Sequence, residues 1–178
     1  WGGIALASVI ASMLFGAISG SATATVAAIG MITIPAMVER GYDKAFAAAL
    51  MACAGIIGTL IPPSNTFVLY GVVTKASISK LFLGGVIPGL LFGTGFMAIT
   101  WWISRRNGWR GTSSGFSASQ LARVSWEAKW AIMVPVIILG GIYGGFMTPT
   151  EAAAVAATYG LLVGVFVYKG ITRHNIVK

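Results

Sequence analysis

The chain of 178 residues is 57% hydrophobic and only 9% charged, with a mean hydropathy of +0.86. A soluble domain carries about 25% charged residues, and a fold of this size has too little interior to hide so much apolar surface. A water-soluble globule is therefore excluded, and an all-α integral membrane protein partnered by the lipid bilayer is expected. The net charge of +8 does not indicate a nucleic-acid partner. The basic residues lie in short segments between long apolar runs, as in cytoplasmic loops, not on a face interleaved with aromatics.

The opening residues Trp1-Gly2-Gly3-Ile4 carry no Met and no basic n-region. They are read as neither a signal peptide nor a natural start, and the sequence is expected to be a fragment. Residues 4–37 are apolar but interrupted by small and hydroxylated residues from Gly16 to Thr25. They form either one long crossing or a re-entrant hairpin with Ser19 to Thr25 at its tip. Each arm of such a hairpin has about 15 residues, roughly 22 Å of helix, which is short for a full crossing.

A polar segment, Val38 to Lys44, follows; its Glu39 and Asp43 are read as solvated. The next span, Ala45 to Val73, contains Pro62-Pro63. Two consecutive prolines remove two backbone donors and clash with preceding carbonyls, and Ile61 is pushed out of helical geometry. Two half-helices joined by an unwound stretch are expected. Such backbone is tolerated at membrane depth only where protein or a watery cavity covers it.

Ser64, Asn65 and Thr66 stand where the second half-helix starts, as N-caps or as ligand oxygens. Broken helices recur in secondary transporters, where N-termini attract anions and freed carbonyls coordinate sodium. The plainer reading is a proline kink with capping only. Cys53, the single cysteine, has no disulfide or metal partner and is expected to be a small buried apolar residue.

Beyond Thr74 to Lys80, the run Leu81 to Ile103 is a further span. The long polar segment Ser104 to Trp130 holds Arg105, Arg106, Arg110, Arg123 and Lys129. Around Ser117 to Trp130 it forms either an ordinary loop or a short amphipathic helix. In the helix, Leu121, Val124, Trp126 and Trp130 lie at the interface while Arg123 and Lys129 face headgroups. Trp101, Trp102, Trp109, Trp126 and Trp130 read as an interfacial belt.

Ala131 to Tyr168 is too long for one crossing. Thr148-Pro149-Thr150-Glu151 splits it near Met147, with Thr148 as N-cap, Pro149 as first helical residue and Glu151 completing a capping box. Gly140-Gly141, Gly144-Gly145 and Ala152 to Ala154 suggest close helix packing. His174, the only histidine, sits in the last polar segment, Lys169 to Lys178, and is read as solvated.

Placing the first, third and fourth polar segments on one side gathers ten of the twelve Lys and Arg there, which makes that side cytoplasmic. One hairpin followed by four crossings, the first broken, is expected. No nucleophile–base pair, phosphate loop, redox pair or His–carboxylate pair occurs, so neither an enzyme nor a cofactor is expected. The rivals to a transporter are a channel or other ion-coupled permease with the same broken helix, and a purely structural membrane subunit.

Three stretches carry a family resemblance: Gly16–Gly71 (GAISGSATATVAAIGMITIPAMVERGYDKAFAAALMACAGIIGTLIPPSNTFVLYG), LFLGGVIPGLLFG from Leu81 and GGIYGGFMTPTEAAAVAATYGLLVGVFVYK from Gly140. Their order and content resemble the large membrane subunit of tripartite ATP-independent periplasmic (TRAP) transporters, the DctM-like family. The resemblance implies a partial elevator-type ion-transporter fold in a multi-pass protein of the bacterial inner membrane. It also implies sodium as coupling ion, a periplasmic substrate-binding protein, a small membrane subunit (separate or fused) and an organic acid substrate.

It further implies an ion and substrate region made by Ser19, Gly20, Ser21, Ala22 and Thr23 at the hairpin tip with Pro62, Pro63, Ser64, Asn65 and Thr66 at the break. Ser21, Ser64 and Asn65 would be the sodium ligands. On the same basis residues 1–103 belong to a first inverted repeat (hairpin 4–37, broken helix 45–73, helix 81–103). Residues 104–130 are then a cytoplasmic linker, and 131–178 begin a second repeat whose own hairpin and broken helix these residues do not include.

Overall fold

A computed structural model describes residues 1–110 and 118–168. The last polar segment, with His174, lies outside the described residues. The chain divides into two compact units, Trp1–Gly115 and Phe116–Lys178. Among the described residues the secondary structure is entirely helical, giving an all-α membrane fold.

The first unit holds α1 (Gly3–Ser19), α2 (Ala22–Val38), α3 (Lys44–Leu60), α4 (Asn65–Thr74) and α5 (Ile78–Arg106). Residues 4–37 are not one crossing. Gly20 takes a left-handed φ of 62° and closes α1 by donating to the Gly16 carbonyl at 2.8 Å. Ser21 then caps α2. The two arms pack on α3 around Ala5, Val9, Met37, Ala47, Met51, Ala54 and Ile57, all fully buried.

The base of this hairpin is held at one end of the unit. The Gly2 amide donates to the Trp109 carbonyl at 3.1 Å, and the Trp109 amide to the Ser104 carbonyl at 2.9 Å. The Trp109 ring lies 4.7 Å from Tyr42 and 4.9 Å from Phe46. Trp109 is thus part of the packing and not only a belt residue. Tyr42 Oη and Ser104 Oγ are buried here with no partner in hydrogen-bonding geometry among the described residues. Asp43 does more than face solvent: it caps α3 by accepting from the Phe46 amide at 2.9 Å.

The start of α1, the α2–α3 turn and the end of α5 therefore share one end of the unit. With 29 residues, α5 is about 43 Å long, whereas each 17-residue arm of the hairpin reaches about 25 Å. The hairpin turns back part-way, where α3 breaks and α4 leaves at a 44° bend. Ser77 caps α5, which starts it three residues before Leu81, and its C-terminal Arg105 and Arg106 suit the negative end of a helix dipole.

Cys53 corrects the expectation of burial. The buried face of α3 runs through Ala47, Leu50, Ala54 and Ile57, which turns Cys53 outward, where it is exposed. Many large apolar side chains are exposed with it, among them Leu69, Val73, Leu83, Ile87 and Leu91. Lipid, not water, is their compatible surrounding.

The second unit holds α6 (Ala118–Glu127), α7 (Lys129–Tyr143) and α8 (Pro149–Leu162), the last continued by a π-helical turn over Val163–Val167. Pro149–Val167 is long and apolar enough to cross a membrane. Of the two readings of the 117–130 region, the helix is the one observed. The crossing expected to reach Met147 stops at Tyr143, leaving 15 residues, about 22 Å. The second glycine pair explains this, while Gly141 does pack closely, an added Cβ there standing 2.9 Å from Met147 Sδ. Gly145 adopts a φ of +73°, and Gly140 and Gly145 meet nothing within 4 Å, so the pair Gly144-Gly145 ends the helix. Thr148 and Glu151 form the capping box of α8: Thr148 Oγ1 accepts from the Glu151 amide, and the Glu151 carboxylate accepts from the Thr148 amide at 2.7 Å.

Candidate functional site

Two interruptions far apart in sequence meet inside the first unit. The Asn65 amide, at the first turn of α4, donates to the Gly20 carbonyl at 3.2 Å. Asn65 Nδ2 points to the Ser19 carbonyl at 3.5 Å. A Cβ placed on Gly20 would stand 2.6 Å from the Pro63 carbonyl oxygen, so only glycine allows both the turn and this approach.

Each side of the junction is built from its own sequence. After Leu60 the backbone is extended at Ile61 (φ −76°, ψ 123°), as the following proline requires. Ser64 is extended and caps α4, accepting from the Phe67 amide at 3.4 Å and donating to the Thr59 carbonyl at 2.6 Å. That donation satisfies a carbonyl which the prolines would otherwise leave orphaned. On the hairpin side, Ser21 Oγ accepts from the Ala24 amide at 3.4 Å and lies 3.1 Å from Thr23 Oγ1. Ser19 Oγ accepts from the Ser21 amide at 3.3 Å.

The residues singled out in the sequence thus fall into one cluster. Gly20, Pro62 and Ser64 are buried; Ser19, Ser21, Ala22 and Pro63 are half-buried; Thr23, Asn65 and Thr66 are exposed. Thr148 and Glu151 belong to the second unit and make only the capping box described.

Three residues support the site from below: Thr25, which the sequence placed at the end of the hairpin tip, and Gly16 and Gly58, which it did not assign to the site. Thr25 is fully buried; its Oγ1 donates to the Ser21 carbonyl at 2.8 Å and lies 3.4 Å from Ser19 Oγ. Gly16 and Gly58 bring α1 and α3 together so closely that a Cβ on Gly16 would fall 2.5 Å from Gly58 Cα. A Cβ on Gly58 would fall 2.7 Å from Thr25 Oγ1. One glycine on each side of a pair of breaks was the legible signal, although it reads equally as mere helix weakening.

The junction collects the N-termini of α2 and α4 and the C-termini of α1 and α3. Among the described residues, the amides of Ala22, Thr23 and Thr66 donate no hydrogen bond, and the carbonyls of Ala17, Ile18 and Gly58 accept none. Such a place offers amides to an anion and carbonyl and hydroxyl oxygens to a small hard cation. No group of three or more His, Cys, Asp or Glu able to hold a metal ion occurs among the described residues.

Comparison with known proteins adds the family. The model for the DctM component of tripartite ATP-independent periplasmic transporters matches residues 1–178. The isethionate TRAP transporter permease protein DctMQ of Oleidesulfovibrio alaskensis is 60% identical over 96% of this chain and 27% of that protein. The C4-dicarboxylate TRAP transporter large permease protein DctM of Vibrio cholerae is 48% identical over 94% of this chain and 37% of its own length. The sialic acid TRAP transporter permease protein SiaT of Haemophilus influenzae is 40% identical over 98% and 28%. The chain therefore spans roughly a quarter to two-fifths of these relatives. All are transporter permeases, not enzymes.

Proposed function

The chain belongs to the DctM family of tripartite ATP-independent periplasmic transporters, and on that premise we propose that it is the part of the large membrane subunit carrying one hairpin and one broken helix of a sodium-coupled organic-acid importer. Ser21, Ser64 and Asn65, with nearby carbonyls, hold the coupling sodium. The rest of the tip and break (Ser19, Gly20, Ala22, Thr23, Pro62, Pro63 and Thr66) frames that ion and part of the substrate site. The observation that carries this reading is the bond from the Asn65 amide to the Gly20 carbonyl. It joins hairpin tip and helix break into one body that must move together during alternating access.

The chemistry of the junction supports both roles. The free amides at two helix N-termini suit a carboxylate or sulfonate, and the relatives named for isethionate, C4-dicarboxylates and sialic acid are permeases for small organic anions. Ser64 Oγ donates to Thr59 and accepts from the Phe67 amide, which leaves one lone pair for a cation.

Partners follow from the same premise: a periplasmic substrate-binding protein and a small membrane subunit. The relative named DctMQ is longer than the one named large permease, since 171 matched residues make up 27% of the former and 168 make up 37% of the latter. This supports a small subunit that is fused in some members. The location is the bacterial inner membrane, in multi-pass topology. The end of the first unit with Arg40, Lys44, Arg105, Arg106 and Arg110 faces the cytoplasm.

The test uses the full-length protein with its small subunit and binding protein in liposomes, and labelled isethionate, succinate and sialic acid. Uptake that needs both a sodium gradient and the binding protein supports the proposal. Uptake indifferent to both overturns it, and conductance without saturation indicates a channel. Asn65→Ala, which removes the Ser19 contact and an oxygen ligand, is expected to raise the half-saturating sodium concentration about tenfold, the effect of losing roughly one hydrogen-bonded ligand.

A further inference from the structure

We propose that the elbow between α6 and α7 binds the anionic phospholipid headgroups of a membrane leaflet, with α6 lying along the membrane surface. At ten residues, α6 is about 15 Å long, too short to cross a bilayer. Its Arg123 pairs with Glu127 one turn on, at 3.1 Å, with both side chains exposed, and Trp126 is 70% exposed beside them. The helix thus presents a self-neutralised polar pair and an uncovered indole, a combination suited to neither water alone nor hydrocarbon alone.

The next residues supply the unbalanced charge. Lys129 Nζ lies 4.0 Å from the Trp126 ring centre and 5.3 Å from that of Trp130, and among the described residues no carboxylate faces it. Two indoles hold the ammonium at the elbow, where it remains a donor for a phosphate. The elbow is fixed to α8, because Tyr159 Oη donates to the Trp130 carbonyl at 3.2 Å and Tyr168 Oη to the Glu127 carbonyl at 3.4 Å.

Immediately beyond this collar α7 exposes Ile132, Met133 and Val136, and the π-helical turn after α8 exposes Phe166 and Val167. Those apolar faces set the hydrocarbon level. Trp126, Lys129, Trp130 and Tyr168 then sit at headgroup depth, where Trp and Tyr concentrate. At the elbow itself, Arg123 and Lys129 stand against the single carboxylate of Glu127. This charge excess selects an anionic leaflet over a neutral one.

The experiment uses the full-length protein in nanodiscs, in a cysteine-free background that includes Cys53→Ser, with an NBD probe attached at Trp126→Cys. Thermal melting first checks that the labelled variant is folded. Quenching by lipids spin-labelled near the headgroup is expected. Quenching by aqueous iodide alone would place α6 in solvent, and quenching by neither would place it under protein; either result overturns the proposal. In the unlabelled protein, Lys129→Gln is expected to reduce retention of phosphatidylglycerol relative to phosphatidylcholine about fivefold, the effect of one basic residue at an anionic surface. Lys75→Gln, in the other unit, should leave that ratio unchanged. An unchanged ratio in Lys129→Gln refutes the headgroup contact.

Discussion

Replacing Gly20 by alanine probes the junction most directly. Gly20 has a φ of +62°, and its added methyl would lie 2.6 Å from the Pro63 carbonyl oxygen and 3.2 Å from the Asn65 nitrogen. The left-handed backbone alone costs about 1–2 kcal/mol for a non-glycine residue. Separating the helices enough to admit the methyl adds about 1–3 kcal/mol of overpacking. Loss of the bond from the Asn65 amide to the Gly20 carbonyl adds about 1 kcal/mol more. The sum is about 3–6 kcal/mol. Gly41→Ala is the control: its φ is +81°, yet nothing lies within 4 Å of the added methyl, so only the backbone cost of about 1–2 kcal/mol applies. Thermal unfolding of the purified full-length protein, with uptake measured in parallel, compares the two. Gly20→Ala should melt several degrees below Gly41→Ala and lose transport, while Gly41→Ala keeps it. Equal melting temperatures with intact uptake in both would refute the claim that the Gly20–Pro63 approach holds the tip to the break.

Thr25→Val keeps the shape of a fully buried residue but removes its donation to the Ser21 carbonyl. It should cost about 1–2 kcal/mol and impair sodium-dependent uptake, whereas Thr25→Ser, which keeps the hydroxyl, should largely restore uptake. Trp109→Ala empties the space between Tyr42 and Phe46 and should destabilise by about 2–4 kcal/mol, less than a fully buried Trp would, seen as a lower melting temperature and yield. Thr148→Ala removes the hydroxyl of the α8 capping box and should cost about 1 kcal/mol. Its melting temperature should fall while half-saturating sodium stays unchanged, because the cap contributes no group to the proposed ion site.

The prolines made the break readable. Pro62-Pro63 admits no continuous helix, and α3 stops at Leu60 with α4 starting at Asn65. The capping box was equally readable, since Thr148, Pro149 and Glu151 occupy the positions that stereochemistry assigns to cap, first turn and reciprocal acceptor. The hairpin was only half readable. Small and hydroxylated residues weaken a helix without saying whether it turns, and the decision rests on Gly20 adopting a left-handed φ. Cys53 was misplaced because apolar composition in a membrane helix carries no inside–outside signal; lipid and core are equally apolar. Gly144-Gly145 carried a related ambiguity. Paired glycines serve close packing and helix termination alike, and the positive φ of Gly145 is a conformation, not a composition.

Why the tip and the break meet follows from backbone hydrogen bonding in an apolar medium. A helix that ends inside a membrane exposes carbonyls, and one that begins there exposes amides, each costing several kcal/mol if left unpaired in hydrocarbon. The hairpin creates one end and one beginning at Ser19 and Ala22; the break creates another pair at Leu60 and Asn65. The structure cancels part of this cost between the two, the Asn65 amide taking the Gly20 carbonyl and the Asn65 side chain pointing to the Ser19 carbonyl. It cancels more within each break through the Ser21 and Ser64 caps. What remains unpaired around the junction is a small set of amides and carbonyls that neighbouring side chains do not satisfy. In hydrocarbon such a remainder would be unfavourable; beside water and ions it is a binding surface whose donors and acceptors are already oriented. A proline-broken helix and a glycine-turned hairpin are therefore costly as membrane anchors, and the proposed ion and organic-anion site would turn that cost to use at the junction where they pair.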